Sequence, residues 1–174
     1  CEWLDIPFEK IRYIANDTNR VSVGGGSHSG RSMRLASIAI GDAVTELVAK
    51  GKIIAGHMLQ VTPDSLSYAD GIFASKDERS VDLWQTAAAA ETLNSLPEDL
   101  RGLLEGVGDI TNRVGGFPYG THICEVEVDP ETGFTQVVSW TGVDDVGLAV
   151  NPMVLHGQAQ GAVAQGLGQA LLEA

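Results

Sequence analysis

A chain of 174 residues with 44% apolar side chains can build one ordinary core and is too apolar for a disordered segment. Its net charge of −12 argues against a nucleic-acid partner or an anionic membrane, both of which need a basic face. No stretch approaches the roughly 20 apolar residues of a membrane span, and two cysteines, Cys1 and Cys124, with no CxxC pair, fit a reducing, cytoplasmic setting.

Residues 11–15 form a short apolar run before Asn16-Asp17-Thr18-Asn19, which predicts a strand and a turn. The glycine-rich run Gly24-Gly25-Gly26-Ser27-His28-Ser29-Gly30-Arg31-Ser32 follows. A helix is predicted over residues 32–50, because Ala36, Ile40, Ala43 and Leu47 recur on one face, and Gly51 is expected to end it. Residues 54–60 read as another short helix. Asp70-Gly71, between short runs in 67–75, signals a hairpin turn. Residues 81–93 are helical by composition, with Asp82 near the start, and 96–109 read as a connector.

Residues 121–129 alternate, with His122, Cys124, Val126 and Val128 on one face and Ile123, Glu125 and Glu127 on the other. Asp129-Pro130-Glu131-Thr132-Gly133 makes a turn, and residues 134–143 return as the second strand. Asn151-Pro152 opens a last helix, 153–174, with Asn as cap and Pro at the first position. Helices flank hairpin-paired strands and no βαβ unit recurs, so the fold class is α+β: helices packed on largely antiparallel sheet.

The glycine-rich run is the first candidate site. Consecutive glycines expose backbone N–H groups, a helix start adds its own free N–H groups and positive dipole end, Ser27, Ser29 and Ser32 add hydroxyls, and Arg31 adds a fork suited to phosphate. No acidic residue lies between Asp17 and Asp42, whereas Arg20, Arg31 and Arg34 do. Neither a Walker A loop nor a dinucleotide fingerprint is present. An anion cradle and a plain surface loop both satisfy the pattern.

The last helix carries Gly157, Gly161, Gly166 and Gly168, with Gln158, Gln165 and Gln169 sharing a face with Gly161. That row suits the edge of a flat polar heterocycle, and it equally suits tight helix packing with glutamines at the rim. Asp144-Asp145-Val146-Gly147 offers carboxylates to amino and ring N–H groups, or is a solvated turn. His28, His57, His122 and His156 have no metal-ligand spacing, His122 reads as a satisfied strand histidine, and no nucleophile–base pair is assignable. The residues therefore point to binding and to no catalyst or metal ligand.

Taken together and in order, several of these stretches resemble one family. GGGSHSGRSM at 24–33, the preceding IANDTN at 14–19, FPYGTH at 117–122, EVEVDPETG at 125–133, VDDVG at 143–147, Asn151-Pro152-Met153, and Gly157-Gln158 through Gln165-Gly166 are similar to the large subunits of molybdenum hydroxylases of the xanthine dehydrogenase and aldehyde oxidase type. Asn16 stands where the family has glycine.

The resemblance implies the second molybdopterin-binding domain of an enzyme that hydroxylates aldehydes or N-heterocycles with water as oxygen source. It implies a molybdenum–molybdopterin cofactor, simple or in the cytosine dinucleotide form, and iron–sulfur clusters and FAD on other domains or subunits. Its cofactor-binding residues would be Gly26, Ser27, His28, Ser29, Gly30, Arg31, Ser32, Asp144, Asp145, Gly147, Gln158 and Gln165. The partners would be the remaining molybdopterin-binding domain, the iron–sulfur and FAD subunits or domains, and a small-molecule substrate.

The family's catalytic glutamate, in a Gly-Val-Gly-Glu type motif, has no counterpart at the matching place. Gly106-Val107-Gly108-Asp109 resembles it but precedes the hairpin. The chain begins with Cys1 and its last helix lacks a cap, so residues 1–174 are expected to be a single partial domain, truncated at both ends and inactive alone. A non-catalytic phosphate-binding or partner-docking module is the alternative that the residues permit.

Overall fold

The computed structural model describes residues 1–15, 17–21, 26–28, 30–110 and 115–173. It divides into two compact units, Cys1–Arg113 and Val114–Ala174.

In the first unit a single long helix, α1 (Arg31–Leu59), leads into a three-stranded antiparallel sheet, β1 (Ser67–Ala69), β2 (Ile72–Ala74) and β3 (Ser80–Asp82), and a second helix, α2 (Leu83–Thr92). The β1–β2 hairpin turns at Asp70-Gly71 as expected, with φ of 51° and 71°, the left-handed pair that tight hairpins require. Asp82 caps α2: its carboxylate accepts from Gln85 N–H, and the Gln85 side chain accepts from Asp82 N–H. The core lies where α1 and α2 meet the sheet and is built on Ile54, Ala55, Leu66, Phe73, Val81, Ala90 and Leu96.

Three expectations need correction in this unit. Gly51 does not end a helix, and residues 54–60 are not a separate one; α1 runs through both. The physical reason is Phe73, fully buried, whose ring lies against Gly51 so closely that a Cβ there would stand 2.5 Å from Cζ. Glycine here is a notch for a ring. Residues 11–15 carry no strand, since no strand pairs with them among the described residues and a lone strand is not stable. Conversely, β3 takes the first two residues of the stretch 81–93 expected to be helical: Ser80–Asp82 pairs with β2 before the Asp82 cap starts α2.

The second unit holds the hairpin β4 (Tyr119–Val128) and β5 (Thr135–Asp145), followed by α3 (Pro152–Leu171). Gly133, φ 72°, closes the turn, while the Asp129 carboxylate accepts from Glu131 N–H, Thr132 N–H and Thr132 Oγ1–H. These bonds hold the Asp129 carboxyl below its ordinary range, the Thr132 hydroxyl most of all. A bulge opposite Glu125 and Val126 leaves Val138 without a cross-strand partner. Asn151 Oδ1 accepts from Val154 N–H and Pro152 fills the first turn of α3, as the sequence predicts. No helix among the described residues is long and apolar enough to cross a membrane.

Candidate functional site

Of the glycine-rich run, Gly26, Ser27, His28, Gly30, Arg31 and Ser32 are described; Gly24, Gly25 and Ser29 lie outside the described residues, as does Asn16 of the turn before them. Gly30 is the N-cap of α1 in the left-handed conformation, φ 67°, and Gly26 has φ 70°. Both positions strain any side-chain-bearing residue. The loop folds onto itself: Arg31 Nη2 donates to Gly26 O at 2.6 Å, Ser32 Oγ donates to Ser27 Oγ at 2.7 Å, and Arg31 N–H donates to His28 O. The N-cap is a glycine, with no side chain to offer the helix, and the first turn of α1 holds no acidic residue. The positive dipole end of a 29-residue helix therefore faces the loop, with exposed serine hydroxyls beside it.

The second unit carries the other predicted residues. Asp144 and Asp145 are not in a loop, as expected, but form the last two rungs of β5, paired with Gly120 and Tyr119. The strand runs two residues past its predicted end because β4 starts two residues early. Asp145 is fully engaged: Oδ1 accepts from Gly147 N–H at 3.0 Å and Oδ2 from the Tyr119 hydroxyl at 2.9 Å. Those two bonds, the backbone one foremost, hold its carboxyl below the ordinary 3.8. Gly147, φ 69°, makes the turn that brings its N–H back to Asp145.

Asp144 lies on the opposite face of the strand. There His122, whose cross-strand partner is Gly142, sits between Trp140 and Asp144, with Trp140 Nε1–H donating to His122 Nδ1 at 3.0 Å and Nε2 lying 3.0 Å from Asp144 Oδ1. Tyr119, His122 and Trp140 were not singled out from sequence as site residues. The signal was available, since 140, 142 and 144 alternate onto one face of β5, but it needed the register.

On α3, Gln158, Gln165 and Gln169 are exposed on one helical face, and a Cβ at Gly157, Gly161 or Gly166 would meet nothing within 4 Å. The glycines therefore serve no packing contact within this unit, and the face displays bare backbone between amide side chains. Ala174, the predicted end of this helix, lies outside the described residues, and α3 ends at Leu171.

The Gly106-Val107-Gly108-Asp109 stretch has a packing role. It lies flat on α1, and a Cβ at Gly106 or Gly108 would overlap the carbonyl oxygens of Ala43 and Ala39. Val107 N–H donates to Glu46 Oε2 at 2.8 Å, and Lys50 Nζ reaches Glu105 O at 3.1 Å. The Lys50 ammonium also lies 2.6 Å from Glu46 Oε1, and that bond, then the one from Val107, keeps the Glu46 carboxyl below its ordinary range.

Comparison with known proteins gives the family. The model of the molybdopterin cofactor-binding domain matches residues 1–174. The chain belongs to that family. It is 32% identical over 174 residues to the 6-hydroxypseudooxynicotine dehydrogenase complex subunit gamma of Paenarthrobacter nicotinovorans, covering 99% of this chain and 22% of that protein. It is 32% identical over 168 residues to the carbon monoxide dehydrogenase large chain of Hydrogenophaga pseudoflava, covering 97% of this chain and 21% of that one.

The crystal structure of quinoline 2-oxidoreductase from Pseudomonas putida 86 superposes with a TM-score of 0.71 at 25% identity, over 97% of this chain and 22% of that one. This molybdopterin-binding chain thus has the α+β architecture of its family and spans about a fifth of the length of the relatives it matches. Its polar groups fit the family's cofactor in kind. A helix start with glycine at its N-cap and no acidic residue in its first turn suits phosphate, and carboxylates and amides suit the edge of a pterin.

Proposed function

We propose that this chain grips the cofactor in a molybdenum hydroxylase that oxidises aldehydes or N-heterocycles with water as the source of oxygen. The observation that carries the reading is the family match over all 174 residues. One structural relative has a nitrogen heterocycle in its name, quinoline.

In this reading Gly26, Ser27, His28, Ser29, Gly30, Arg31 and Ser32 cradle phosphate at the start of α1. The supporting features are the two left-handed glycines, a first helical turn without acidic residues and the adjoining guanidinium. Gln158 and Gln165 offer paired donors and acceptors to the pterin edge, with the bare backbone at Gly157 and Gly161 permitting close approach. Asp144, Asp145 and Gly147 serve the amino and ring N–H groups of the pterin, or of the cytosine in a dinucleotide form.

The bound cofactor supplies the two-electron oxidation of the substrate carbon. This chain's own residues hold and orient it, and none is assigned as the catalytic base. On this reading residues 1–174 are one part of a larger molybdopterin-binding region, and the remaining pocket, the iron–sulfur clusters and FAD belong to other domains or subunits. The isolated chain is then inactive. The free cysteines Cys1 and Cys124 accord with a cytoplasmic setting.

The test is molybdenum and pterin content of the complete protein that carries this chain, purified from a host that makes molybdopterin. Arg31→Ala combined with Ser32→Ala is expected to lower both by about tenfold or more, the scale of one or two charge-assisted hydrogen bonds. Folded wild-type protein that carries neither molybdenum nor pterin would contradict the proposal.

A further inference from the structure

Which of the two adjacent carboxylates meets the ligand, and what aims it, follows from the hydrogen-bond directions on the hairpin. An indole N–H only donates, so His122 Nδ1, 3.0 Å from Trp140 Nε1, must be the accepting nitrogen. The ring proton then sits on Nε2 and is donated to Asp144 Oδ1. Both imidazole nitrogens are thereby committed, and His122 is no free base.

The row has been given room. A Cβ at Gly142 would stand 2.7 Å from His122 Cε1 and Nδ1, and one at Gly120 would overlap Asp144 Oδ1. Each strand has glycine at the position over which the partner strand's side chain must lie. The T-shaped contact of His122 with Trp140, centroids 5.9 Å apart, fixes the ring further.

The two carboxylates differ in consequence. Asp145 has both oxygens bound by Gly147 and Tyr119. Asp144 has Oδ1 bound by His122, while Oδ2 receives no hydrogen bond from the described residues. A carboxylate with one oxygen fixed and the other presented is a directed acceptor.

We infer that Trp140 and His122 are positioning residues that hold Asp144 as the acceptor for amino and ring N–H donors of the cofactor, while Asp145 fixes the following turn. The inference rests on the cofactor reading above.

The test uses the complete protein from a molybdopterin-making host, with pterin measured by fluorescence after oxidation and molybdenum by elemental analysis, per mole of folded protein. Asp144→Ala and His122→Leu are expected to lose about fivefold or more of both. His122→Gln, whose amide N–H reaches Asp144 much as the imidazole Nε2–H does, keeps about half or more of the wild-type content. Trp140→Phe keeps the ring packing, loses the anchor on Nδ1 and falls between.

If His122→Leu does not fold, Trp140→Phe alone is compared with Trp140→Phe plus His122→Gln. The glutamine needs no indole anchor, so it should restore what Trp140→Phe loses, and no restoration overturns the inference. Full cofactor content in folded His122→Leu and Trp140→Phe, with loss in Asp144→Ala, overturns the positioning role and leaves the cofactor reading standing. Full content in Asp144→Ala overturns the inference outright, whereas folded wild-type protein with neither molybdenum nor pterin overturns the cofactor reading on which it rests.

Discussion

Replacing a helical glycine by alanine is expected to act with opposite sign in α1 and α3. In an open helix interior the change stabilises by about 1 kcal/mol. Gly161 is such a place, since a Cβ there meets nothing within 4 Å. Gly51 is not. Its Cβ would stand 2.5 Å from Phe73 Cζ and 3.2 Å from Cε2, and Phe73 is fully buried, so the ring has no free space to enter. Overpacking costs about 1–3 kcal/mol, so against a propensity gain of about 1 kcal/mol the middle of that range leaves a net loss of about 1 kcal/mol.

For a chain of this size that loss lowers the melting temperature by about 2–4 °C. Thermal melts of the full chain followed by circular dichroism should show Gly51→Ala melting lower and Gly161→Ala level or higher. Phe73→Leu should cost less in the Gly51→Ala background than in wild type, with a coupling of about 0.5–3 kcal/mol. A raised midpoint for Gly51→Ala, or strict additivity with Phe73→Leu, would refute the claim that this ring fills a notch over the glycine.

Gly161→Ala, neutral or stabilising in the chain alone, should lower bound pterin about tenfold in the complete protein if backbone approach matters there; unchanged pterin removes Gly161 from the site. Gly108→Ala should destabilise by about 1–3 kcal/mol, because its Cβ meets the backbone of α1 and no helix propensity offsets the clash, and urea unfolding checks this. Asp145, whose carboxyl lies below the ordinary 3.8, contributes stability that is complete above that value and lost as pH falls through its own lower midpoint. The Gly147 amide resonance should therefore titrate below 3.8, moving upward in Tyr119→Phe; a wild-type midpoint at or above 3.8 would contradict the two bonds to Asp145.

The elements that were legible in the sequence are those whose cause is local. Asp70-Gly71 dictates its hairpin through backbone conformation, Asn151-Pro152 its helix start through one cap and one fixed φ, and the alternation from 121 onward its strand. Gly51 was misread because helix-ending glycine and notch glycine are the same letter. Only Phe73, 22 residues on and fully buried, tells them apart. Val81 and Asp82 read as helix although they belong to β3, because a three-residue strand exists by virtue of its neighbour β2, which no local pattern encodes.

The candidate site shows the same division more sharply. The glycine-rich loop could be read directly, because its chemistry is that of backbone N–H groups and a helix end, both set by adjacent residues. The Trp140–His122–Asp144 row could not, although its three members are all within one hairpin. Its geometry depends on which residue faces which across the ladder, and a slip of one residue would send His122 to the other face from Asp144. The glycines at 120 and 142 are the trace that the row leaves in the sequence. They look like defects in two good strands until the register sets Gly120 opposite Asp144 and Gly142 opposite His122, where each is the space that a neighbouring side chain occupies.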